Sequence, residues 1–283
     1  MCVNTATMVY VGSGGTMADV ENSTPAPSGK LNHLWRTLAT GLSFLAFGLG
    51  GLLLRILVFP VLQLLARDPL RRRLARRLVQ KSFGFHIELM RVLGVLTYEI
   101  RGRERLQRDG LLILANHPTL IDVVFLISLL PNADCVVKPS LARNPFTRGP
   151  VRATGYVHAD DGHDLIEECI ASIRSGSNLL IFPEGTRTRR GVPMRLQRGA
   201  ANIAVRGRID VTPVRLSCVP MTLGKGEKWY HVPSCRFHVV VDVRPDIEVA
   251  PFLDGAQVEA LAARRLTAYL SQYFAAGGTA CSH

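Results

Sequence analysis

From about Tyr98 onward, the sequence alternates short apolar runs with segments of helical periodicity, and this alternation constrains the fold more than any other feature. Short apolar runs bounded by turn residues predict strands, and the longer periodic segments predict helices. The predicted strands are Leu111–Ala115, Cys135–Lys138, Gly155–His158, Leu179–Phe182, Val211–Leu216 and Phe237–Val243. The predicted helices are Pro118–Leu130, His163–Arg174, Gln197–Arg206 and Gln257–Phe274. This order predicts an α/β fold, a mixed sheet layered with helices.

The segment before this region has a different character. Residues 1–30 are rich in Gly, Ser, Thr and Pro, and such a composition predicts a flexible tail because it buries too little apolar surface. No charged residue occurs from Thr37 to Leu54, a run that reaches the lower limit of about 17 residues for crossing a bilayer. Arg55 and Pro60 interrupt the apolar character, so a tilted span and a bent, re-entrant element both remain open. A buried helix of a soluble protein is the third alternative.

A dense basic cluster follows the apolar run and favours the membrane alternatives. Its members are Arg67, Arg71, Arg72, Arg73, Arg76, Arg77 and Lys81. Basic residues flanking an apolar segment lie on the cytoplasmic side, and each contributes about 1 kcal/mol of attraction to an anionic leaflet. We therefore expect this cluster to hold the protein against the cytoplasmic face of the inner membrane. An amphipathic helix over roughly Leu70–Leu96 is expected to lie along that surface.

The overall charge agrees with an anionic partner. The formal net charge is +12 and the sequence pI is about 10.0. Phospholipid is favoured over nucleic acid, because no nucleic-acid-binding motif is recognisable and the basic residues cluster beside the apolar run. The six cysteines form no CxxC pair and no metal-ligand spacing, which predicts reduced thiols and no metal site.

The first chemical motif follows the predicted strand Leu111–Ala115. Asn116 and His117 come at the carboxyl end of that strand, where ligands bind in open α/β sheets. Pro118 is suited to the first position of the next helix. With His117 in the turn and Asp122 one turn into the helix, the carboxylate can accept from one ring nitrogen and leave the other as a base. Alone, this pattern is better explained by a structural histidine that caps a helix and an unrelated surface aspartate, because it is common by chance.

The second motif, Phe182 to Arg187, follows the predicted strand Leu179–Phe182. Gly185 permits close approach of the backbone, and Arg187 is a bidentate donor suited to phosphate or carboxylate. Glu184 is placed either to brace that arginine or to bind an acceptor hydroxyl. Two such motifs at corresponding strand ends predict one site built from both.

With these two motifs the chain resembles the glycerolipid acyltransferases, the family of the lysophosphatidic acid (1-acylglycerol-3-phosphate) acyltransferases and their relatives. The resemblance covers roughly residues 98 to 245. Further matching positions are Lys138, Pro145–Phe146, Gly155, Leu196–Ala200 and Val211–Val214. The apolar N-terminal segment and its basic flank are similar to the family's two-helix membrane motif.

The resemblance implies acyl transfer from a thioester, acyl-CoA or acyl-carrier protein, to the hydroxyl of a lysolipid in the membrane. It implies that His117 is the general base and that Asp122 orients it, with no metal and no cofactor. The residues it implies for substrate binding are Asn116, Lys138, Glu184, Gly185, Thr186 and Arg187. The expected domains are a tail at 1–30, a membrane-associated helical motif at 31–97, the acyltransferase α/β domain at 98–245 and a helical segment at 246–283.

One position departs from the family pattern. Asp161 stands where the family commonly has an arginine that helps bind the acceptor phosphate. A carboxylate there repels phosphate, unless Arg143, Arg148 or Arg152 compensates. The acceptor is therefore open between 1-acylglycerol-3-phosphate and a non-phosphate alcohol, such as a specialised lipid or polyene. Hydrolysis of the acyl thioester and a catalytically silent scaffold are further alternatives. A Ser-His-Asp hydrolase is disfavoured because no G-x-S-x-G elbow is present.

Overall fold

The computed structural model describes residues 29–137, 151, 153–158, 164–188, 192, 194–256 and 258–276. The helices are α1 Lys30–Leu53, α2 Phe59–Leu65, α3 Leu70–Val92, α4 Asp122–Leu129, α5 Asp164–Arg174, α6 Gly199–Gly207, α7 Ala250–Leu253 and α8 Glu259–Ala275. The strands are β1 Leu96–Arg101, β2 Leu112–Ala115, β3 Ala133–Val137, β4 Val157–His158, β5 Asn178–Ile181, β6 Val211–Val219 and β7 Phe237–Val243. The predicted tail lies almost wholly outside the described residues.

The strands form one seven-stranded sheet in the order β1-β7-β6-β2-β5-β3-β4. Every pairing of named strands is parallel except that of β6 with β7, which is antiparallel. The predicted mixed α/β sheet is therefore confirmed. Strand β2 lies between β5 and β6, and all three run in the same direction.

The side chains of β2 alternate between two cores, one on each face of the sheet. Ile113 and Ala115 pack in the core formed with α3 and α4, whereas Leu112 and Leu114 pack in the core formed with α5, α6 and α8. All four side chains are fully buried. A strand covered on both faces has to be apolar at every position, which is why this run is continuous in the sequence.

Helix α3 ends earlier than predicted and is followed by a strand that was not predicted. The helix ends at Val92 rather than Leu96, because Gly94 has a positive φ of 74°. Val95 N donates to Met90 O and Gly94 N donates to Arg91 O, both at 3.0 Å, which is a Schellman motif. The chain then enters β1 at Leu96, so the expected domain boundary between residues 97 and 98 falls inside this strand.

Other predicted elements have shifted ends. The helix predicted to begin at Pro118 begins at Asp122, since residues 119–121 form a turn. Pro118 therefore does not occupy the first helical position, and that prediction was wrong. The strand predicted from Gly155 is reduced to Val157–His158, and Gly155 itself has a φ of 62°.

The apolar N-terminal segment is helical throughout Lys30–Leu65 and contains an 18-residue window of mean hydropathy 2.2. Only 6% of that window is buried inside the protein. By length and composition it is the one helix in the described part of the chain able to cross a membrane. A π-helical turn, Leu54–Val58, joins α1 to α2 just before Pro60. The wider turn leaves room for the proline ring, which would clash with the carbonyl of residue 56 in a regular helix.

Helix α3 carries most of the basic cluster, and the structure corrects the role expected for one member. Arg76 is buried, and its Nη2 donates to Asp134 Oδ2 at 2.7 Å. Its other nitrogens donate to Asn132 Oδ1, Ser177 Oγ and Thr154 O. Arg76 is therefore part of the interior and is not available to a membrane surface. Arg72, Arg73 and Arg77 of the same helix remain exposed.

Candidate active site

The two chemical motifs meet at one edge of the sheet. Strands β2 and β5 pair in parallel, with Leu114 opposite Ile181, so the residues that follow them leave the sheet side by side. The first motif leaves β2 as residues 116–122, and the second leaves β5 as residues 182–187. The structure therefore brings together the two segments that the sequence placed at corresponding strand ends.

His117 and Asp122 make the contact that their spacing predicted. His117 Nδ1 lies 2.9 Å from Asp122 Oδ2. A carboxylate only accepts, so Nδ1 carries the hydrogen and Nε2 is the lone-pair nitrogen of the neutral ring. The His117 side chain is 15% exposed, and within the described part of the chain Nε2 has no hydrogen-bond partner. The arrangement holds one ring nitrogen and leaves the lone pair of the other available to accept a proton.

Asp122 is fixed by the turn that precedes α4. Its Oδ2 also accepts from Thr119 N at 2.6 Å, and its Oδ1 accepts from Thr119 Oγ1 at 2.5 Å. The side chain is 1% exposed, and this burial raises the pKa of the carboxyl, while the hydrogen bonds from His117 and Thr119 act in the opposite direction. The carboxylate is thus both shielded from water and oriented towards the imidazole.

Phe182 fixes the plane of the imidazole from the other motif. The rings of His117 and Phe182 stack with their centroids 4.2 Å apart and their planes 26° apart. Because Phe182 directly follows β5, the second motif contributes to the position of the imidazole as well as to the neighbouring loop. From the sequence, Phe182 was predicted only to be the last residue of a strand, with no role in the site.

Glu184 joins the two motifs through hydrogen bonds. Its Oε1 accepts from His117 N at 3.1 Å and from Thr188 Oγ1 at 2.7 Å. Thr188 N in turn donates to His117 O at 2.7 Å. Glu184 was predicted to brace Arg187 or to bind substrate, whereas in the structure it supports the backbone of His117. Its place in substrate binding stays a prediction.

Gly185 has a backbone conformation that favours glycine, and the end of the Gln197 side chain lies close to it. Its φ is 66°, and a Cβ at this position would lie 2.5 Å from Gln197 Nε2. Gln197 N also donates to Pro183 O at 2.7 Å, which holds the segment before α6 against the loop. The tight turn that Gly185 permits places Thr186 and Arg187 on the side facing a second loop.

That second loop is the turn at Leu223–Lys225 after β6, which no motif in the sequence predicts. Arg187 Nη1 donates to Leu223 O at 3.0 Å and to Gly224 O at 2.9 Å. Leu223 O also accepts from Leu120 N at 3.1 Å, so one carbonyl touches both motifs. Lys225 Nζ donates to Thr186 Oγ1 at 2.8 Å. The positive φ of Leu223, 55°, marks the turn in the structure but leaves no sign in the sequence.

The remaining predicted residues have different positions. Asn116 uses both ends of its side-chain amide on the backbone of Leu216, in β6, at 2.7 Å each. It thereby extends the pairing of β2 with β6 and sets the direction in which His117 leaves the sheet. Lys138 and Asp161 lie outside the described residues, as do Arg143, Arg148 and Arg152. The described residues contain no cluster of three His, Cys, Asp or Glu side chains that could hold a metal ion.

Known proteins share this combination of fold and motifs. Residues 97–217 match the family model described as Acyltransferase. The 1-acyl-sn-glycerol-3-phosphate acyltransferase of Pseudomonas aeruginosa is 28% identical over 148 residues, 49% of this chain and 56% of that protein. The enzyme of the same name from Saccharomyces cerevisiae is 26% identical over 153 residues, 51% of this chain and 50% of that protein. The chain thus spans about half the length of these relatives.

A solved structure has the same fold. The crystal structure of the 1-acyl-sn-glycerophosphate (LPA) acyltransferase PlsC from Thermotoga maritima superposes with a TM-score of 0.59 and 20% identity, covering 85% of this chain and 98% of that one. Motifs, domain model and fold agree: residues 97–217 match the acyltransferase model, and the chain has the fold of the solved structure. The resemblance stated from residues 116–122 and 182–187 is confirmed.

Proposed function

We propose that this protein transfers an acyl group from an acyl thioester to the free hydroxyl of a lysophospholipid, 1-acylglycerol-3-phosphate in the first instance. The observation that carries the proposal is the hydrogen bond from His117 Nδ1 to the buried carboxylate of Asp122, beside the loop at residues 183–188. The names of the relatives support the choice of acceptor, since both the bacterial and the yeast protein are named for acylating this lipid.

The chemistry needs one base at the acceptor hydroxyl. His117 Nε2 takes the hydroxyl proton as the oxygen attacks the thioester carbonyl, and the positive charge on the ring is stabilised by Asp122. The tetrahedral intermediate then expels the thiolate, which takes the proton back from His117 Nε2. An ester C–O bond has formed and a C–S bond has broken, so the base returns to its neutral form without a covalent enzyme intermediate. Acyl-CoA or acyl-carrier protein is the proposed donor substrate.

The acceptor headgroup is proposed to bind at residues 185–187. Arg187 satisfies two backbone carbonyls with one nitrogen only, so its guanidinium retains further N–H groups for a phosphate oxygen. Thr186 is exposed at the same loop. Lys138 is retained as a second proposed phosphate contact from the family resemblance.

We further propose that the protein works at the cytoplasmic face of the inner membrane. Helix α1 exposes large apolar side chains such as Leu34, Leu38, Leu42, Leu45 and Leu49. Burying such a surface in lipid is favourable, whereas leaving it in water is not. The exposed arginines at 72, 73 and 77 supply the proposed electrostatic attraction to anionic headgroups.

The test is a labelled acyl-thioester assay with a panel of lysolipids and neutral alcohols, read by mass spectrometry of the products. We expect a phosphate-bearing diacyl product, and we expect His117→Ala to abolish it while the protein stays in the membrane fraction. Asp122→Asn should lower kcat about 100-fold or more, in the range attributed to a positioned general base. Full activity of the His117 variant would refute the mechanism.

Two other outcomes of this assay would each identify a different activity. Free acid formed at the same rate with and without a lysolipid would identify a thioester hydrolase. Acylation of neutral alcohols alone would identify a non-phosphate acceptor, the alternative favoured by the aspartate at position 161.

A further inference from the structure

Lys225 lies outside both motifs, yet it brings a second cation to the loop that carries Arg187. Its Nζ donates to Thr186 Oγ1 at 2.8 Å, and its side chain is exposed. A lysine ammonium has three donors, and this contact uses one of them. Thr186 is itself one of the residues expected to face the acceptor. The lysine therefore has hydrogen-bonding capacity left at the position where a headgroup is proposed to bind.

The turn that carries Lys225 is held in place from several directions. Arg187 Nη1 donates to the carbonyls of the two preceding residues, Leu223 and Gly224, and Gly224 N donates to Glu227 Oε2 at 2.9 Å. Leu223 and Gly224 are buried, although the next residue is exposed. The two cations are consequently carried by two loops whose relative position is fixed by hydrogen bonds.

These two cations lack acidic partners in the described part of the chain. No carboxylate oxygen of those residues lies within 4.0 Å of a charged nitrogen of Arg187 or Lys225. This contrasts with the buried Arg76, which is paired with Asp134, and with Arg108, which is paired with Asp246. Cations without an ion-pair partner attract an anion, and a phosphate monoester presents several oxygens to both side chains at once.

We propose that Lys225 binds the phosphate of the acceptor together with Arg187 and so sets a preference for a phosphate-bearing lysolipid over a neutral one. The inference rests on the proposed function and adds to it a specificity-determining residue. On binding, the ammonium exchanges its neutral contact with Thr186 Oγ1 for a charge-assisted contact with a phosphate oxygen. The aspartate at position 161 therefore does not leave the acceptor phosphate without a second cation.

The experiment compares Lys225→Met, Lys225→Arg and Lys228→Met in the full-length protein in mixed micelles. Lys228 is the matched control, since it is an exposed lysine of the same loop whose Nζ lies 5.5 Å from the ring centroid of Tyr230. With 1-acylglycerol-3-phosphate, we expect Lys225→Met to raise KM about ten-fold, the effect of losing one charge-assisted contact, with kcat within about two-fold. Lys225→Arg should recover most of the loss, and Lys228→Met should match the wild type.

A monoacylglycerol acceptor without phosphate and the acyl donor serve as two further readouts. We expect Lys225→Met to leave KM unchanged for both. An unchanged KM for the phosphate acceptor would overturn the proposal. Equal losses with both acceptors would also overturn it, because they would indicate a structural role. A rise in KM for acyl-CoA alone would show that Lys225 binds the phosphates of the donor instead.

Binding measured without turnover separates this inference from the reaction itself. In a His117→Ala background, the Kd for 1-acylglycerol-3-phosphate should rise about ten-fold on adding Lys225→Met. Equal Kd values would overturn the role of Lys225 whatever the enzyme catalyses. A wild-type protein that binds the lipid through Lys225 but never acylates it would refute the proposed function alone.

Discussion

The backbone N–H of His117 donates to Glu184 Oε1 at 3.1 Å, so the carboxylate of one motif supports the histidine of the other. The same oxygen accepts from Thr188 Oγ1, and Thr188 N donates to His117 O. The histidine backbone is therefore held by two residues that follow the neighbouring strand, in addition to its own connection to β2. The position of His117 therefore depends on the second motif.

This relationship predicts a difference between two substitutions of Glu184. Glu184→Gln keeps an oxygen able to accept from both donors and should retain most of kcat, whereas Glu184→Ala leaves both donors unpaired and should lower kcat about ten-fold or more. Steady-state kinetics with separate kcat and KM values provide the measurement. A large rise in acceptor KM for Glu184→Gln, with kcat preserved, would instead indicate that the carboxylate binds substrate.

Gly185→Ala should disturb the loop more than the same change at Gly226. Both glycines have a positive φ, so alanine introduces backbone strain of about 1–2 kcal/mol at either position. Only at position 185 does the new Cβ also meet Gln197, at 2.5 Å, whereas nothing lies within 4 Å of it at position 226. We expect a lower Tm and a raised acceptor KM for Gly185→Ala, with partial recovery when Gln197→Ala is added. Indistinguishable thermal and kinetic effects of the two alanine variants would contradict this account.

Two adjacent arginines of α3 should have separable roles. Arg76→Met leaves the buried carboxylate of Asp134 unpaired and should destabilise the protein by about 3–5 kcal/mol. Arg77→Met, at an exposed position, should leave Tm unchanged and weaken binding to anionic vesicles by about 1 kcal/mol. Thermal unfolding in detergent and vesicle sedimentation measure the two effects. Equal Tm values for both variants would show that the buried pair is not required.

His86 should make the protein sensitive to acid. Burial lowers the pKa of His86 to about 4, and its Nδ1 has no hydrogen-bond partner in the described part of the chain. The unfolded state, with a pKa near 6.5, takes up the proton first as the pH falls. The contribution of the buried, neutral His86 to the free energy of unfolding is therefore fully present above about pH 6.5. It is lost as the pH falls towards 4.

His86→Leu should reduce this loss. Its Tm should fall less than that of the wild type between pH 7 and pH 4.5, while the exposed His231→Leu serves as the control. Burial also lowers the pKa of His238, so a smaller acid-dependent loss should persist in the His86 variant. A pH profile identical to that of the wild type would exclude His86 as a source of the sensitivity.

The sequence sufficed for those parts of the site that depend on local spacing. The contact of His117 with Asp122 spans five positions, and the parallel neighbours β2 and β5 appear as two continuous apolar runs. The sequence also contains a signal for the end of α3, since a Schellman motif favours glycine at the position that Gly94 occupies. The helix was predicted to extend to Leu96 because the apolar pattern continues past that glycine.

The remaining features depend on partners distant in the chain. Arg187 meets Leu223 across 36 positions, and Arg76 meets Asp134 across 58. A basic helix face has the same sequence whether its arginines are in solvent or paired with a buried acid. The turn at Leu223–Lys225 likewise lacks any motif of its own, so only the fold reveals that it lies against both chemical motifs.

The single reversal of strand direction, between β6 and β7, determines where the N-terminal helices join the sheet. Because β1 runs with β7, it runs opposite to β2. The register places the start of β1 beyond the carboxyl end of β2, since Thr97 is level with Val219 of β6, whereas Ala115 is level with Val214. Near the start of β1, Trp35 of α1 donates to Leu93 O at 3.0 Å. The N-terminal helices thus join the sheet on the same side as the segment that carries His117, and not at the opposite end of the strands.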